Sequence, residues 1–302
     1  MSLTMAITRN AARLRRTALR TEEALRHSVI QPREPAPVPR GVRRRCTVEN
    51  NLIDGCNVIT LRSHNVRQRA PHVVYLHGGG YVSPLKRPHW MIINALMHRT
   101  SATITVPMYP LAPEHNVDDA LAFLDALMSR IQKHHGIERM VYAADSAGGG
   151  LALAHTLRQR DAARRLPASA LILFAPWVDI TMTNPDITRI EPRDVMLTSA
   201  QLELCGRWWA DHRTPVDPAV SPIYADLHGL PPIHLFVGEH DLFLPDVTLS
   251  HQRLQEAGTA STLTVAPGGF HVYVGAPWIP EARAALDRSA DIIGKVSSQS
   301  TC

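Results

Sequence analysis

Short apolar runs alternate with longer amphipathic segments along most of the 302-residue chain. The runs are rich in valine, isoleucine and leucine and are bounded by glycine, proline or polar residues. This pattern is typical of strands that are buried on both faces. We predict strands at residues 46–48, 57–61, 72–77, 102–106, 140–144, 170–175, 233–237 and 262–265.

The segments between the predicted strands repeat alanine and leucine at helical spacing. We predict helices at residues 86–99, 117–134, 147 to about 165, 199–212, 246–257 and 281–294. Strands that alternate with helices indicate a mostly parallel sheet with helices on both faces. Asp54-Gly55 is a typical hairpin turn, so the first two strands would add an antiparallel edge. The predicted fold class is therefore α/β.

The N-terminal 45 residues differ in character from the rest of the chain. Apolar residues repeat at helical spacing over residues 6–29, which predicts one or two amphipathic helices. A second stripe at the same spacing consists of Arg9, Arg13, Arg16 and Arg20. We expect this basic stripe to face water, and a membrane-surface or targeting role is the alternative interpretation. Four prolines predict an extended linker at residues 31–45.

The bulk composition is that of an ordinary globular protein, with 45% hydrophobic and 20% charged residues. No apolar run approaches the ~20 residues of a membrane span, and the N-terminus lacks the apolar core of a signal peptide. Four scattered cysteines without C-x-x-C spacing argue against a zinc site and a disulfide framework. We therefore expect a cytoplasmic protein without an integral membrane segment.

The positive charge is concentrated at the N-terminus. Residues 1–45 hold eleven arginines and three glutamates, whereas the whole chain has a net charge of +5, so the remainder is acidic overall. A basic N-terminal segment on an acidic body argues against nucleic-acid binding.

Ser146 lies where a predicted strand changes abruptly into a predicted helix, between small residues and glycines. A serine on such a sharp turn points its hydroxyl out of the sheet, as in the nucleophile elbow of hydrolytic enzymes. The alternative is a tight turn with a serine near the helix N-cap. The residue at the first elbow position is Ala144, where glycine is usual.

Three successive glycines follow the strand at residues 72–77. Glycine is entropically expensive in a folded chain, so the loop must need backbone without side chains. Acyl transfer has such a need, because amide groups must point at the oxyanion of the tetrahedral intermediate. The candidate donors are the amides of Gly79, Gly80 and Ala147. A flexible loop or a phosphate cradle is the alternative, although the chain has no G-x-G-x-x-G and no P-loop lysine motif.

A serine nucleophile needs a base and an acid that orients it. His271 follows the last predicted strand and Asp241 the one before it, in the order Ser…Asp…His that is typical of α/β-hydrolases. Two other carboxylates lie near Asp241. We expect Glu239 to brace the loop and Asp246 to cap the next helix.

These segments together resemble the hormone-sensitive-lipase-like esterases, the family IV carboxylesterases of the α/β-hydrolase fold. The matching motifs are His77-Gly78-Gly79-Gly80-Tyr81, Asp145-Ser146-Ala147-Gly148-Gly149 and the segments at residues 109–115, 175–179 and 221–227. The resemblance implies ester hydrolysis through a serine acyl-enzyme, with no metal and no cofactor. It also implies a helical lid formed by residues 1–45 and 180–215, with residues 46–179 and 216–302 as the catalytic domain.

The resemblance leaves the substrate open. We expect a small-molecule ester with a short to medium acyl chain, and a homodimer is an assembly that the sequence allows. An amidase or deacetylase with the same triad, or a non-catalytic receptor on this fold, is the alternative function. Ala144 and Pro110 depart from the family pattern, and we expect them to tune packing rather than chemistry. Candidate pocket or lid residues, which ordinary core packing would explain equally well, are Tyr81, Trp208, Trp209, Phe270 and Tyr273.

Overall fold

The computed structural model describes residues 1–15, 22–31, 34–64, 70–134, 140–164, 166 and 168–298. Its strands, β1 to β8 in chain order, are Cys46–Ile53, Cys56–Ser63, His72–Leu76, Thr103–Pro107, Met140–Asp145, Ala170–Phe174, Ile233–Gly238 and Ser261–Ala266. Its helices, α1 to α10, are Leu3–Arg15, Glu22–Ile30, Arg40–Arg43, Arg87–Thr100, Val117–His134, Ala147–Asp161, Ile187–Ile190, Ser199–Ala210, Leu244–Glu256 and Pro280–Ser298.

The strands form one sheet with the spatial order β1-β2-β4-β3-β5-β6-β7-β8. The β1–β2 hairpin and the β2–β4 pair are antiparallel, and the pairs from β4 to β8 are parallel. Asp54 and Gly55 make the hairpin turn with φ values of 46° and 81°, as a tight two-residue turn requires. The predicted α/β class, with an antiparallel edge on a parallel sheet, is confirmed.

Both faces of the sheet are covered, because alternate side chains of each strand enter different apolar cores. In β3, Val74 and Leu76 pack in the core under α5, α6 and α8. Val73 and Tyr75 of the same strand pack in the core under α4 and α10. The central strands are therefore buried on both sides, which explains their continuously apolar sequences.

Two predictions about secondary structure were wrong. The described residues 34–39 of the predicted linker are not helical, but the linker also contains α3, which begins directly after Pro39, has no proline of its own and buries Val42. Helix α9 begins at Leu244, because proline is accepted in the first turn of a helix. Asp246 therefore lies inside that turn, where it accepts a hydrogen bond from Asn184 Nδ2 at 2.8 Å, and does not cap the helix.

The N-terminal segment packs on both faces of the molecule. Helix α2 packs against α8, with the Arg26 guanidinium 5.5 Å from the centre of the Trp208 ring. Helix α1 packs against α10 and buries Met5, whereas Ile7 of the predicted apolar stripe is 60% exposed.

The basic stripe of α1 does not simply face water as predicted. The Arg9 guanidinium donates hydrogen bonds to His240 Nδ1 at 2.7 Å and to the Gly268 carbonyl at 3.3 Å. Arg16 and Arg20 of that stripe, and the predicted helix end near Arg165, lie outside the described residues. No helix within the described ranges is long and apolar enough to cross a membrane.

The glycines after Ser146 generate a stability prediction. A β-carbon at Gly148 would overlap the carbonyl oxygen of Leu76, whereas one at Gly294, in α10, would meet nothing within 4 Å. We expect Gly148→Ala to destabilise the protein by about 3 kcal/mol through overpacking. Gly294→Ala should instead stabilise it by up to about 1 kcal/mol, because alanine favours a helix. Thermal unfolding midpoints of both variants test this, and an unchanged midpoint for Gly148→Ala would contradict it.

Candidate active site

Ser146 occupies a strained turn between β5 and α6. Its φ of 51° and ψ of −123° are unusual for a residue with a side chain, and such strain occurs at functional sites. The neighbouring strand holds the turn, since Ser146 N donates to the Phe174 carbonyl at 2.9 Å and the Ser146 carbonyl accepts from Trp177 N at 2.9 Å. The Ser146 backbone is thereby fixed in the geometry that a nucleophile elbow requires.

Strand and helix approach each other closely at this turn. A β-carbon at Gly149 would come within 2.6 Å of the Pro176 side chain, and Gly148 has no room against the end of β3. Ala144 is fully buried, and its methyl group belongs to the core on the α5–α6 side. The core therefore accommodates the residue that departs from the family glycine.

Three side chains from distant parts of the chain form a continuous hydrogen-bonded chain. Ser146 Oγ lies 2.9 Å from His271 Nε2, and His271 Nδ1 lies 3.1 Å from both oxygens of Asp241. Since a carboxylate only accepts hydrogen bonds, Nδ1 must carry a proton. In neutral His271 the other ring nitrogen, Nε2, is then free to accept the hydroxyl proton of Ser146.

The loops after β7 and β8 carry Asp241 and His271 and are bonded to each other. Glu239 Oε2 accepts a hydrogen bond from Gly268 N at 2.6 Å, and His240 N donates to the Gly269 carbonyl at 2.8 Å. The prediction that Glu239 braces the loop is confirmed. The separation of the Asp241 and His271 backbones is thus set by direct bonds between their own loops.

The electrostatic environment of His271 favours its protonated form. Burial alone would lower the pKa of the imidazole, but the negative charges of Asp241, Asp194 and Asp145 outweigh it, so that the pKa is raised above its usual value. Phe243 packs edge-on against the ring, with centroids 5.2 Å apart. The imidazole is therefore sterically fixed and surrounded by negative charge.

The triglycine loop lies directly against the Ser146 turn. A β-carbon at Gly78 would come within 2.8 Å of Ser146 Cβ and would overlap the Asp145 carboxylate. Gly79 and Gly80 have φ values of 123° and 62°, which residues with side chains rarely adopt. Within the described ranges, neither Gly79 nor Gly80 donates its amide to a backbone carbonyl. Both amides are therefore candidate donors to a bound oxyanion.

A buried network of polar side chains lies against the triglycine loop. Asp145 Oδ1 accepts a hydrogen bond from the Tyr75 hydroxyl at 2.5 Å, and Asp145 Oδ2 lies 3.5 Å from His89 Nε2. Burial would raise the pKa of Asp145, but His89 and Tyr75 hold it below its usual value. His77 Nδ1 donates to the Gly78 carbonyl at 2.7 Å, and burial lowers the pKa of this imidazole to about 4. His77 is therefore a neutral structural group at physiological pH.

The predicted pocket aromatics fall into two groups. Tyr81 lies in a parallel stack on Trp209, with centroids 4.0 Å apart, beside the triglycine loop. Trp208 is partly buried on the α2-facing side of α8. Phe270 and Tyr273 are buried in the core under α4 and α10. The structure therefore places only Tyr81 and Trp209 beside that loop.

Sequence analysis missed three residues that border the hydrogen-bonded chain or the triglycine loop. Phe243 contacts the His271 ring, Cys205 lies 3.5 Å from a β-carbon built at Gly80, and the buried Asp194 acts on His271 through its charge. Cys205 and Asp194 belong to no glycine-rich or strand-terminal motif, so no local signal marks them. Phe243 lies two residues after Asp241 in the loop that follows β7, but its contact with the imidazole depends on the fold. No group of three His, Cys, Asp or Glu side chains that could hold a metal ion occurs in the part of the chain that the structure describes.

Comparison with known proteins identifies the family. The family model of the α/β-hydrolase fold matches residues 73–275. An acetyl-hydrolase of Streptomyces hygroscopicus is 32% identical over 226 residues, which cover 73% of this chain and 74% of that protein. An esterase of Acinetobacter venetianus is 29% identical over 217 residues, or 71% of each chain.

Solved structures share the fold over nearly the whole length. An esterase/lipase from an uncultured bacterium superposes with a TM-score of 0.85 at 24% identity, covering 99% of this chain and 100% of that one. An esterase from the bacterial hormone-sensitive lipase family gives a TM-score of 0.84 at 24% identity, covering 99% of both chains. The sequence resemblance is confirmed, and the chain belongs to the α/β-hydrolase fold family, among its esterase- and lipase-like hydrolases.

Proposed function

We propose that this protein is a serine carboxylesterase that acts through an acyl-enzyme. The observation that carries the proposal is the buried chain of hydrogen bonds from Ser146 through His271 to Asp241. It lies at the carboxyl ends of the strands, where α/β sheets bind their substrates. Nucleophile, base and orienting acid are in the relative order and geometry that acyl transfer uses.

In the proposed first step, the Ser146 oxygen attacks the ester carbonyl carbon while His271 Nε2 accepts the hydroxyl proton. Asp241 keeps the Nδ1 proton in place and stabilises the imidazolium that forms. The negative charge moves to the carbonyl oxygen, where the amides of Gly79, Gly80 and Ala147 would donate hydrogen bonds. Loss of one such donor typically lowers a rate by about 10²- to 10³-fold.

In the second step, the imidazolium gives its proton to the leaving alcohol as the carbon–oxygen bond breaks. Water then attacks the acyl-enzyme, with His271 again accepting a proton, and the acid product leaves as Ser146 regains its hydrogen. No step in this sequence calls for a metal or a cofactor. The raised pKa of His271 fits its role, because the imidazole must hold a proton between the two transfers.

For the substrate we propose small-molecule esters with short to medium acyl chains. Relatives named acetyl-hydrolase and esterase support this class. The stacked rings of Tyr81 and Trp209 and the side chain of Cys205 also restrict the space beside the triglycine loop.

We also propose that residues 1–45 and 180–215 form the cap and that residues 46–179 and 216–302 form the catalytic domain. The contact between α2 and α8 supports a cover above the triglycine loop. Helix α1 has a different place, because Arg9 bonds to the loops that carry Asp241 and His271. Within the proposed cap, α1 would therefore support those loops rather than cover the substrate.

The first prediction concerns the nucleophile. Ser146→Ala should lower the hydrolysis of p-nitrophenyl butyrate by at least about 10⁴-fold, because no other group replaces the attacking oxygen. Ser129→Ala, which alters an exposed serine of α5, is the matched control and should retain full activity. Substantial turnover by Ser146→Ala would mean that the nucleophile is a different residue. Matched p-nitroanilides distinguish an esterase from an amidase, and faster turnover of the anilides would contradict the proposed esterase activity.

The second prediction distinguishes the two neighbouring aspartates. Asp241→Asn should lower kcat by about 10⁴-fold, because the amide favours the wrong tautomer of His271. Asp246→Asn should leave kcat within a few-fold of wild type, because Asp246 bonds to Asn184 and not to the imidazole. Steady-state kinetics with one ester measure both variants, and the reverse ranking would refute the choice of Asp241.

The third prediction concerns stability against pH. Burial, with a contribution from the charge of Asp179, raises the pKa of Asp246 to about 7, against 3.8 for the free side chain. The folded state therefore binds this proton more tightly than the unfolded state, and the associated stability is lost as pH rises from about 4 to about 7. Asp246→Asn should remove that part of the pH dependence. Unfolding midpoints across this pH range test it, with Asp186→Asn as an exposed control, and equal slopes in both variants would contradict it.

A further inference from the structure

One buried carboxylate beside the Ser146–His271–Asp241 chain has no role in the steps above. Asp194 lies between α7 and α8 in the insert, defined as residues 180–215, and its side chain is 0% exposed. Its Oδ2 accepts a hydrogen bond from Leu242 N at 2.8 Å, and Leu242 directly follows Asp241. A carboxylate is costly to bury unless its oxygens are hydrogen-bonded, so this arrangement points to a specific use.

Asp194 also organises the approach to α8. Its Oδ1 accepts hydrogen bonds from Met196 N at 2.6 Å and from Leu197 N at 2.8 Å, which fixes the turn before that helix. Helix α8 then carries Trp209, which stacks on Tyr81 beside the triglycine loop. A single carboxylate thus connects the loop of Asp241 with the helix that covers the triglycine loop.

Consecutive amides of the Asp241 loop are divided between the two carboxylates. Leu242 N donates to Asp194, whereas Phe243 N donates to Asp241 Oδ1 at 3.0 Å. The two peptide groups that flank Leu242 are therefore each held by a carboxylate. Movement of Leu242 would carry Asp241 away from His271 Nδ1, and small misplacements at a reacting centre can lower rates by as much as about 10²-fold.

We propose that Asp194 is a positioning residue for the Asp241–His271 pair, holding the acid loop through Leu242 N and adding a second negative charge near the imidazole. The inference rests on the proposed serine mechanism. It adds the requirement that the insert be folded onto the acid loop for full activity, so that the insert forms part of the catalytic apparatus as well as a cover.

The charges around the Asp241–His271 pair support the proposal that Asp194 adds a second negative charge near the imidazole. Burial opposes protonation of His271, and Asp241, Asp194 and Asp145 together raise its pKa. The pKa of Asp194 is itself raised to about 6, first by burial and then by Asp241, while the charge of His271 opposes the shift.

The arginines near the Asp241 loop act on His240. Arg9 and Arg193 face His240, whose pKa is lowered mainly by burial and then by the Arg9 charge, with Glu239 opposing. The charges that oppose the effect of burial on the pKa of His271 are thus those of Asp241, Asp194 and Asp145.

Removal of the Asp194 charge should therefore change the pH dependence of kcat/KM. His271 must be neutral to accept the serine proton, so kcat/KM falls as pH decreases through its pKa. Without the second carboxylate the imidazolium is less stabilised, its pKa decreases and the acid limb moves to lower pH. A carboxylate that only capped the turn before α8 could lower activity but would leave the acid limb in place.

The test compares Asp194→Asn with Asp186→Asn, which alters an exposed carboxylate of the same insert. The Asp194→Asn change keeps an acceptor for the amides before α8 and removes the charge. We expect kcat to fall about tenfold with KM within about twofold. The acid limb of kcat/KM should move down by about half a pH unit or more. Asp186→Asn should match wild type in all three quantities.

Rates are expressed per active site titrated with a fluorophosphonate, so that a misfolded fraction does not enter the comparison. Asp194→Glu restores the charge in a displaced position and should bring the acid limb back toward wild type while kcat stays reduced. An unchanged kcat in Asp194→Asn, or a reduced kcat with an unmoved acid limb, would overturn the proposal.

Amide hydrogen exchange supplies a readout that does not depend on activity. Asp194→Asn should accelerate exchange in the peptide that contains residues 240–243 relative to the Asp186→Asn control, and equal protection would also overturn the proposal. Failure of the serine mechanism has a separate signature, namely activity retained in Ser146→Ala with Asp194 intact.

Discussion

The close contact between the triglycine loop and the Ser146 turn is the constraint on which the rest of the site depends. Strands β3 and β5 lie far apart in the chain but pair side by side, with Leu76 opposite Ala144. Their parallel register brings the loops that follow them to the same edge of the sheet. Because there is no room for a side chain at Gly78 or Gly148, the triglycine loop and the Ser146 turn meet there through their backbones.

The second organising feature is an excess of buried negative charge around one imidazole. Asp241, Asp194 and Asp145 all act on His271, yet each carboxylate is held by a different set of donors from a different part of the chain. This separation lets three carboxylates act on one imidazole without sharing its hydrogen bonds. Buried charges of like sign are unfavourable unless each is individually solvated by donors, and here backbone amides and a tyrosine hydroxyl supply them.

The sequence predicts the central sheet well because buried strands and sharp turns leave local signals. The strand ends at Leu76, Asp145 and Gly238 fall within a residue of the predicted ones, and each is followed by a predicted site loop. What could not be predicted depends on tertiary contacts. The short helix after Pro39 forms because Val42 finds a buried position, and Asp194 becomes relevant only because Leu242 N comes within reach of it.

The position of His271 after an edge strand has a consequence for how the protein loses function. β8 pairs with β7 only, and most of its side chains are partly buried, whereas β3 and β5 are buried throughout. Local opening is easiest where few apolar contacts hold a strand, and sheet edges open at lower free energy than centres. The proposed base, His271, is therefore attached to one edge of the sheet and the proposed nucleophile, Ser146, to its buried centre. Mild denaturant should abolish the activity while most of the secondary structure persists, so that inactivation precedes global unfolding.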